Sequence, residues 1–388
     1  RAMEFDLSWL LLGVPIVFAL GWLASRLDLR QLRIENRQAP KAYFKGLNYL
    51  LNEQQDQAID AFIEAVQRDP DTTELHFALG NLFRRRGEYE RAVRVHEHLL
   101  SRADLPVADR ERAQHALALD FLKAGLLDRA EEALRKLDGT RYQEQAWLTL
   151  LSLYERARDW PQATEVAVKL ERMQQGDFTH RLSHYLCEQA ATALTKRQDV
   201  AHAEQLLQQA IQQAPTAARP RIQLAGTLVG QGDLSGAFDL LTELERHAPQ
   251  ALPLVASEMV RIAQQVGQLG RAREVLQRSY AAHPSVDIAD ALVQADVADG
   301  MPLRDAREGY VRHMAVEPSL IAASRWLSQE PFAQDGAHTV VQRSVEEAVR
   351  PLARYRCAAC GFEAQGYFWQ CPGCQAWDSF PPRRIEEL

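Results

Sequence analysis

Four cysteines near the end of this 388-residue chain carry its strongest chemical signal. They are arranged as Cys357-Ala358-Ala359-Cys360-Gly361, then ten residues after Cys360, then Cys371-Pro372-Gly373-Cys374. A pair of cysteines two residues apart forms a tight knuckle whose backbone amides can point at sulfur. Two knuckles together supply the four thiolates of a closed tetrahedral metal site. Gly361 and Gly373 are expected to ease the two turns. Redox exchange between two dithiol pairs fits less well, because one shared ion accounts for both pairs at this distance. Tyr355, Phe362, Tyr367, Phe368, Trp369, Trp377 and Phe380 crowd the same stretch. So small a module needs that bulk and a metal to fold. Five cysteines in all are too few for a disulfide scaffold, and their pattern suits a reducing compartment.

The knuckles resemble those of rubredoxin and of zinc ribbons. An all-thiolate tetrahedral site accepts iron or zinc, one ion per chain, and the sequence does not choose between them. Two departures weaken the electron-carrier reading that rubredoxin suggests. The gap between the knuckles is much shorter than in true rubredoxins, and Gln375 stands where a glycine usually follows the second knuckle. A nucleic-acid-binding zinc ribbon is the other alternative. Arg354, Arg356, Arg383 and Arg384 encourage it, while a formal net charge of −7 opposes it.

Other candidate residues lose their interest on inspection. His180, His184 and Glu188 share a helical face at i, i+4 and i+8, so a second metal site is conceivable. A groove-lining or solvated polar face is the stronger expectation. His96 and His98 are two apart and point to different faces. Cys187 is expected to pack as a small apolar residue and stay inert. Gly226, Gly230, Gly232 and Gly236 have the wrong spacing for a phosphate loop. No nucleophile with its base stands in a recognisable local signature, so no catalytic residue is expected.

The elements that must position the metal module are helical. Only 20 Gly and 17 Pro punctuate the chain, which rules out a turn-rich all-β fold, and 46% hydrophobic residues exclude a mainly disordered one. Gly46, Tyr49, Ala58, Phe62, Ala65 and Pro70 set a pattern that a shift of about 34 residues repeats in Gly80, Phe83 and Ala92. It recurs in Ala118/Phe121/Ala130, Leu151/Tyr154/Ala163, Ala191/Leu194/Ala203/Pro215 and Ala225/Leu228/Ala237/Pro249. Fainter copies carry Ala272 and Pro284, then Ala306 and Pro318. This spacing resembles the tetratricopeptide family over residues 39–318, as about eight repeats. Small residues let paired helices approach, aromatics wedge between units, and prolines stop each second helix. Arg86-Gly87-Glu88, Lys123-Ala124-Gly125 and Gln231-Gly232-Asp233 should be the turns within pairs. Residues 319–353 are expected to cap the array and lead into the module of residues 354–388. The array's inner wall is a groove for another polypeptide, with its contact residues unassigned.

Residues 7–25 are uncharged and, as a helix, about 28 Å long, enough to span a bilayer. Glu4 and Asp6 precede them, and Arg26, Arg30, Arg33, Arg37 and Lys41 follow, so the remainder should face the cytoplasm. Arg1-Ala2 ahead of Met3 has the look of a cloning remnant, which leaves residues 1–6 as a short tail. A cleaved signal peptide, opposed by the lack of a basic leading region, and a buried core helix are the alternatives. The five basic residues of the 26–38 linker and its edge fall on one helical face, which suits anionic head groups at the membrane surface or, equally, an ordinary solvated face obeying the positive-inside rule.

Anchor, basic linker, tetratricopeptide array and four-cysteine module, in that order, resemble the lipopolysaccharide assembly protein B family of Gram-negative bacteria across essentially the whole chain. The resemblance implies an all-α solenoid with a membrane anchor and a rubredoxin-like module, and a non-catalytic adaptor of the inner membrane. It implies as partners the membrane-anchored AAA+ protease FtsH and, as client, the deacetylase that commits precursor to lipid A. It also implies an inner-membrane lipopolysaccharide regulator and transport proteins. A homodimer is compatible with such an array, and nucleic acid is not an expected partner.

Overall fold

The computed structural model describes residues 18–22, 44–68, 72–329 and 336–388. The basic residues Arg26, Arg30, Arg33, Arg37 and Lys41 lie outside these, as does the expected span except for residues 18–22, which form an exposed turn of helix. Among the described residues no helix is long and apolar enough to cross a membrane.

The chain divides into two compact units, one ending at Ala157 and the other beginning at Arg158. The first holds α1 (44–51), α2 (Gln55–Arg68), α3 (Thr73–Arg86), α4 (Tyr89–Ser101), α5 (Val107–Ala124), α6 (Leu127–Arg135) and α7 (Gln143–Ala157). The second holds α8 (Trp160–Arg172), α9 (Thr179–Thr192), α10 (Val200–Gln213), α11 (Ala218–Gln231), α12 (Leu234–His247), α13 (Ala256–Gln265) and α14 (Leu269–Ala282). It continues through α15 (Val286–Ala298), α16 (Leu303–Ala306), α17 (Glu308–Val316), α18 (Leu320–Ser328) and α19 (Gly336–Val349). A hairpin of β1 (Tyr355–Arg356) and β2 (Glu363–Ala364) and a closing turn of 3₁₀ helix, Ile385–Glu387, complete it.

The small-residue column read from the sequence is the packing seam of the helices. Ala58, Ala92, Ala130, Ala163, Ala203, Ala237, Ala272 and Ala306 are all fully buried. Phe62, Phe83, Phe121 and Tyr154 are buried beside them. At Gly80 the closeness is extreme: a β-carbon there would meet the ring of His96 at 2.5 Å. Turns fall where expected. Gly87 and Gly232 take the left-handed conformation that a side chain resists, at φ 84° and 88°. The amide of Glu88 then reaches back to the carbonyl of Phe83 at 2.9 Å, satisfying a helix-end acceptor. Asp159, Asp199 and Asp233 each cap the following helix through an amide three residues on. Pro215, Pro249, Pro284 and Pro318 each follow two residues after a helix ends.

Three features depart from a uniform repeat. Leu194 falls in a π turn, Ala193–Arg197, rather than in regular α-helix. A 3₁₀ stretch, Pro249–Leu254, precedes α13, because Pro253 removes an amide donor there. The second helix of the last pair is broken into α16 and α17. In the first unit, Asp120 of α5 accepts from Arg84 of α3 at 2.8 Å and pairs with His96 Nδ1 of α4 at 2.5 Å. His96 and Asp120 are fully buried, so this ion-paired cluster ties three helices at once. His98 instead faces the ring of His76, as the two-residue spacing required.

Candidate metal centre and its dock

The two knuckles are near copies of each other. The amide of Gly361 donates to the carbonyl of Cys357 at 2.9 Å, and that of Gln375 to the carbonyl of Cys371 at 2.8 Å. Cys357 and Cys371 in turn donate their own amides to Phe362 and Ala376, both at 2.9 Å. The left-handed residue of the first knuckle is Gly361, at φ 78°, and that of the second is Gln375, at φ 61°. The expectation that Gly373 supplies the second turn is therefore corrected: the strained position is Gln375, one residue past Cys374.

All four Sγ atoms lie within 4.8 Å of one another. Cys357 and Cys374 sulfurs are 3.8 Å apart, Cys360 and Cys371 3.7 Å. A tetrahedron with metal–sulfur bonds of about 2.3 Å has edges of roughly 3.8 Å, so the sulfurs stand where a thiophilic ion would hold them. Electrostatics agree. Burial pushes the Cys357 thiol up, but Ser379 Oγ at 3.3 Å and the amides of Cys360 and Ala359 outweigh it and bring it down to about 6. For Cys360, the amide of Phe362 lowers the thiol, but burial and the other three sulfurs carry it up to about 12. Four clustered thiolates repel one another, and a dication is the group that lets all of them ionise. The donor set suits iron and zinc equally. Cys357 and Cys371 are buried, whereas Cys360 and Cys374 are exposed.

The loop after the second knuckle fastens the module to the helices of its own unit. Trp377 stacks on His184 of α9, with ring centroids 4.7 Å apart, and meets Trp160 and Tyr185 edge-on. His184 Nε2 bonds to Asp378 at 2.9 Å, which leaves Nδ1 to face Arg219 at 3.4 Å. Arg219 of α11, itself buried, also donates to Glu188 at 2.6 Å. The same loop supports the metal site, since Ser379 lies against Cys357 and its carbonyl accepts from Ala358 at 2.7 Å. Trp369 packs on the core around α12 and α13, while Leu254 joins Tyr355 and Phe380.

The tail makes a second attachment. Arg384 forms a two-pronged pair with Asp287 of α15 at 2.7 and 3.1 Å, and covers the ring of Tyr355. Glu387 accepts from the amide of Val286 at 2.7 Å, and Glu386 from those of Leu320 and Ile321. These are the first amides of α15 and α18, where a carboxylate offsets the helix dipole. Burial lifts the Glu387 carboxyl above its usual range.

These contacts settle the other sequence candidates. His184 and Glu188 are dock residues rather than solvated ones, and His180 pairs with Thr216 at 3.3 Å. Among the described residues, the four cysteines are the one cluster able to hold a metal. Of the arginines that suggested a nucleic-acid ribbon, Arg354 and Arg356 flank the single carboxylate of Glu363, and Arg384 is paired with Asp287. Cys187 is buried, and burial raises its thiol to about 12, so it is unreactive as expected. Trp377 was read as bulk within the module, but its docking role, and those of Asp378 and Arg219, escaped sequence reasoning. The dock joins residues 194 positions apart, and an aromatic and an acid following a cysteine knuckle were the available signal.

Helical repeats joined to a four-thiolate ribbon define the class: a tetratricopeptide-repeat protein ending in a rubredoxin-type metal module. Models of the tetratricopeptide repeat match residues 75–111 and 194–257, and that of the rubredoxin metal binding domain matches 355–382. Lipopolysaccharide assembly protein B of Escherichia coli (strain K12) is 31% identical over 390 residues, covering 97% of this chain and 98% of that protein. Its counterpart in Haemophilus influenzae (strain Rd) is 26% identical over 395 residues, with the same coverage. The chain belongs to the lipopolysaccharide assembly protein B family.

Proposed function

We propose that the chain is a non-catalytic, membrane-anchored adaptor that regulates lipopolysaccharide synthesis by promoting FtsH-mediated degradation of the deacetylase committing precursor to lipid A. The observation that carries this reading is the dock. Its loop is shared between the metal site and α9, so the ion serves to build a wall of the helical array. An ion closed off by four thiolates has no open position for substrate. The span at residues 7–25 would confine the array to the membrane plane, where client and protease meet at high effective concentration. The lipopolysaccharide regulator and transport proteins would bind the same array. Depletion should lengthen the half-life of the deacetylase and leave its rate per molecule unchanged. An unchanged half-life with altered specific activity would sink the adaptor reading.

The exposure of Cys360 and Cys374 favours one rival, an iron electron carrier, because electrons need an accessible edge of the site. A reversible redox couple in the iron-loaded chain, with electron transfer to a partner reductase, would support that reading instead.

A further inference from the structure

Between the first helices of two successive pairs, α5 and α7, the first unit holds an open cavity of about 520 Å³. Leu119 and Leu122 of α5, Leu127 at the start of α6 and Leu153 of α7 supply its apolar lining. Lys123 and Arg156, at the carboxyl ends of α5 and α7, supply its charge. No carboxylate is among the lining residues, and neither cation has an ion-pair partner among the described residues. The nearest acid on α5, Asp120, is buried and committed to Arg84 and His96. Of the lining leucines, Leu127 is 48% exposed. Leucines gathered around a concave site, with two cations that have no ion pair, offer a surface complementary to an apolar and acidic ligand.

We infer that this cavity is a recognition site for an internal acidic segment of a partner polypeptide, one that places a large aliphatic side chain next to Asp or Glu. The leucines would bury the aliphatic group, and the cations would pair with the carboxylate in a partly desolvated setting, where charge selects strongly between partners. An acyl chain fits less well. The site is open rather than tunnel-like, and the hydroxyl-bearing Thr149 and Ser152 sit among its leucines. This inference rests on the adaptor reading and gives it a recognition chemistry.

The test uses the full chain in detergent micelles and peptides of eight residues, acetylated and amidated so that no terminal charge remains. Peptides rich in Leu and Glu should bind at least about 10-fold more tightly than matched Leu/Lys peptides, as expected for two ion pairs removed from bulk water. K123E/R156E should reverse that preference. Ser152→Trp, at an exposed position that fills the cavity, should abolish both, with circular dichroism confirming that the helices persist. Three results would each overturn the inference: no charge preference, a preference that survives K123E/R156E, or binding that requires a free terminal carboxylate. Preferential binding of anionic vesicles, lost in K123E/R156E, would assign the site to lipid and overturn it as well. The peptide and half-life measurements fail separately. A deacetylase still degraded through the chain while these peptides do not bind would discard the cavity and keep the adaptor.

Discussion

At the scale of single residues, the dock turns on His184. Its ring stacks on Trp377, its Nε2 meets Asp378, and its Nδ1 faces a buried arginine. Replacing it with Ala removes the stack and a hydrogen bond to a charged group, together about 2–4 kcal/mol. Hydrogen exchange of residues 369–388 should therefore rise in His184→Ala, while the ion stays bound. The tail carboxylates make a second, subtler case. Burial raises the folded pKa of Glu387 above its unfolded value, so the folded chain holds that proton more tightly. Its contribution to stability is present at low pH and declines as pH rises through the folded pKa. Glu387→Gln, which keeps an acceptor for the Val286 amide, should leave the tail docked and flatten that pH dependence. Glu387→Ala should cost on the order of 1 kcal/mol, read as a lower denaturation midpoint. None of this was legible in the sequence. Cysteine spacing announces its purpose because four ligands fall within 18 residues, whereas His184 and Asp378 become neighbours only after twelve intervening helical segments have folded between and around them.

At the scale of elements, the sequence was far more readable, because a repeat displays the same packing constraint many times. The buried alanine column, the glycine turns and Pro215, Pro249, Pro284 and Pro318 lie where the period put them, while Pro70 falls outside the described residues. What it missed were single, unrepeated events: the π turn after α9, the 3₁₀ stretch forced by Pro253, and the left-handed Gln375. Gly80 offers a sharp test of the seam. Gly80→Ala would drive a methyl group into the His96 ring and strain the Asp120 cluster, at a cost of about 1–3 kcal/mol. Urea denaturation should show it, and Gly226→Ala, where a β-carbon meets nothing, should be silent or slightly stabilising. Chelation of the metal should melt the hairpin and knuckles and raise hydrogen exchange across Trp377 and the tail. Far-ultraviolet circular dichroism should change little, since α9 to α17 pack on one another through cores the ribbon only borders.

At the scale of the whole molecule, the proposed anchor would decide where everything else operates. The full chain should resist extraction from membranes by alkaline carbonate, and a chain starting near Gln38 should be released yet stay folded, because repeats are stabilised by contacts with their neighbours. The two knuckles then acquire a kinetic meaning. With Cys360 and Cys374 on the solvent side and Cys357 and Cys371 against the interior, an incoming chelator or competing ion can attack from one direction alone. Metal exchange would begin at the outer pair while the inner pair still grips, so one ion could replace another in situ. The lifetime of the bound ion, and which ion it is, would then follow the composition of the surrounding fluid rather than the rate at which the chain unfolds.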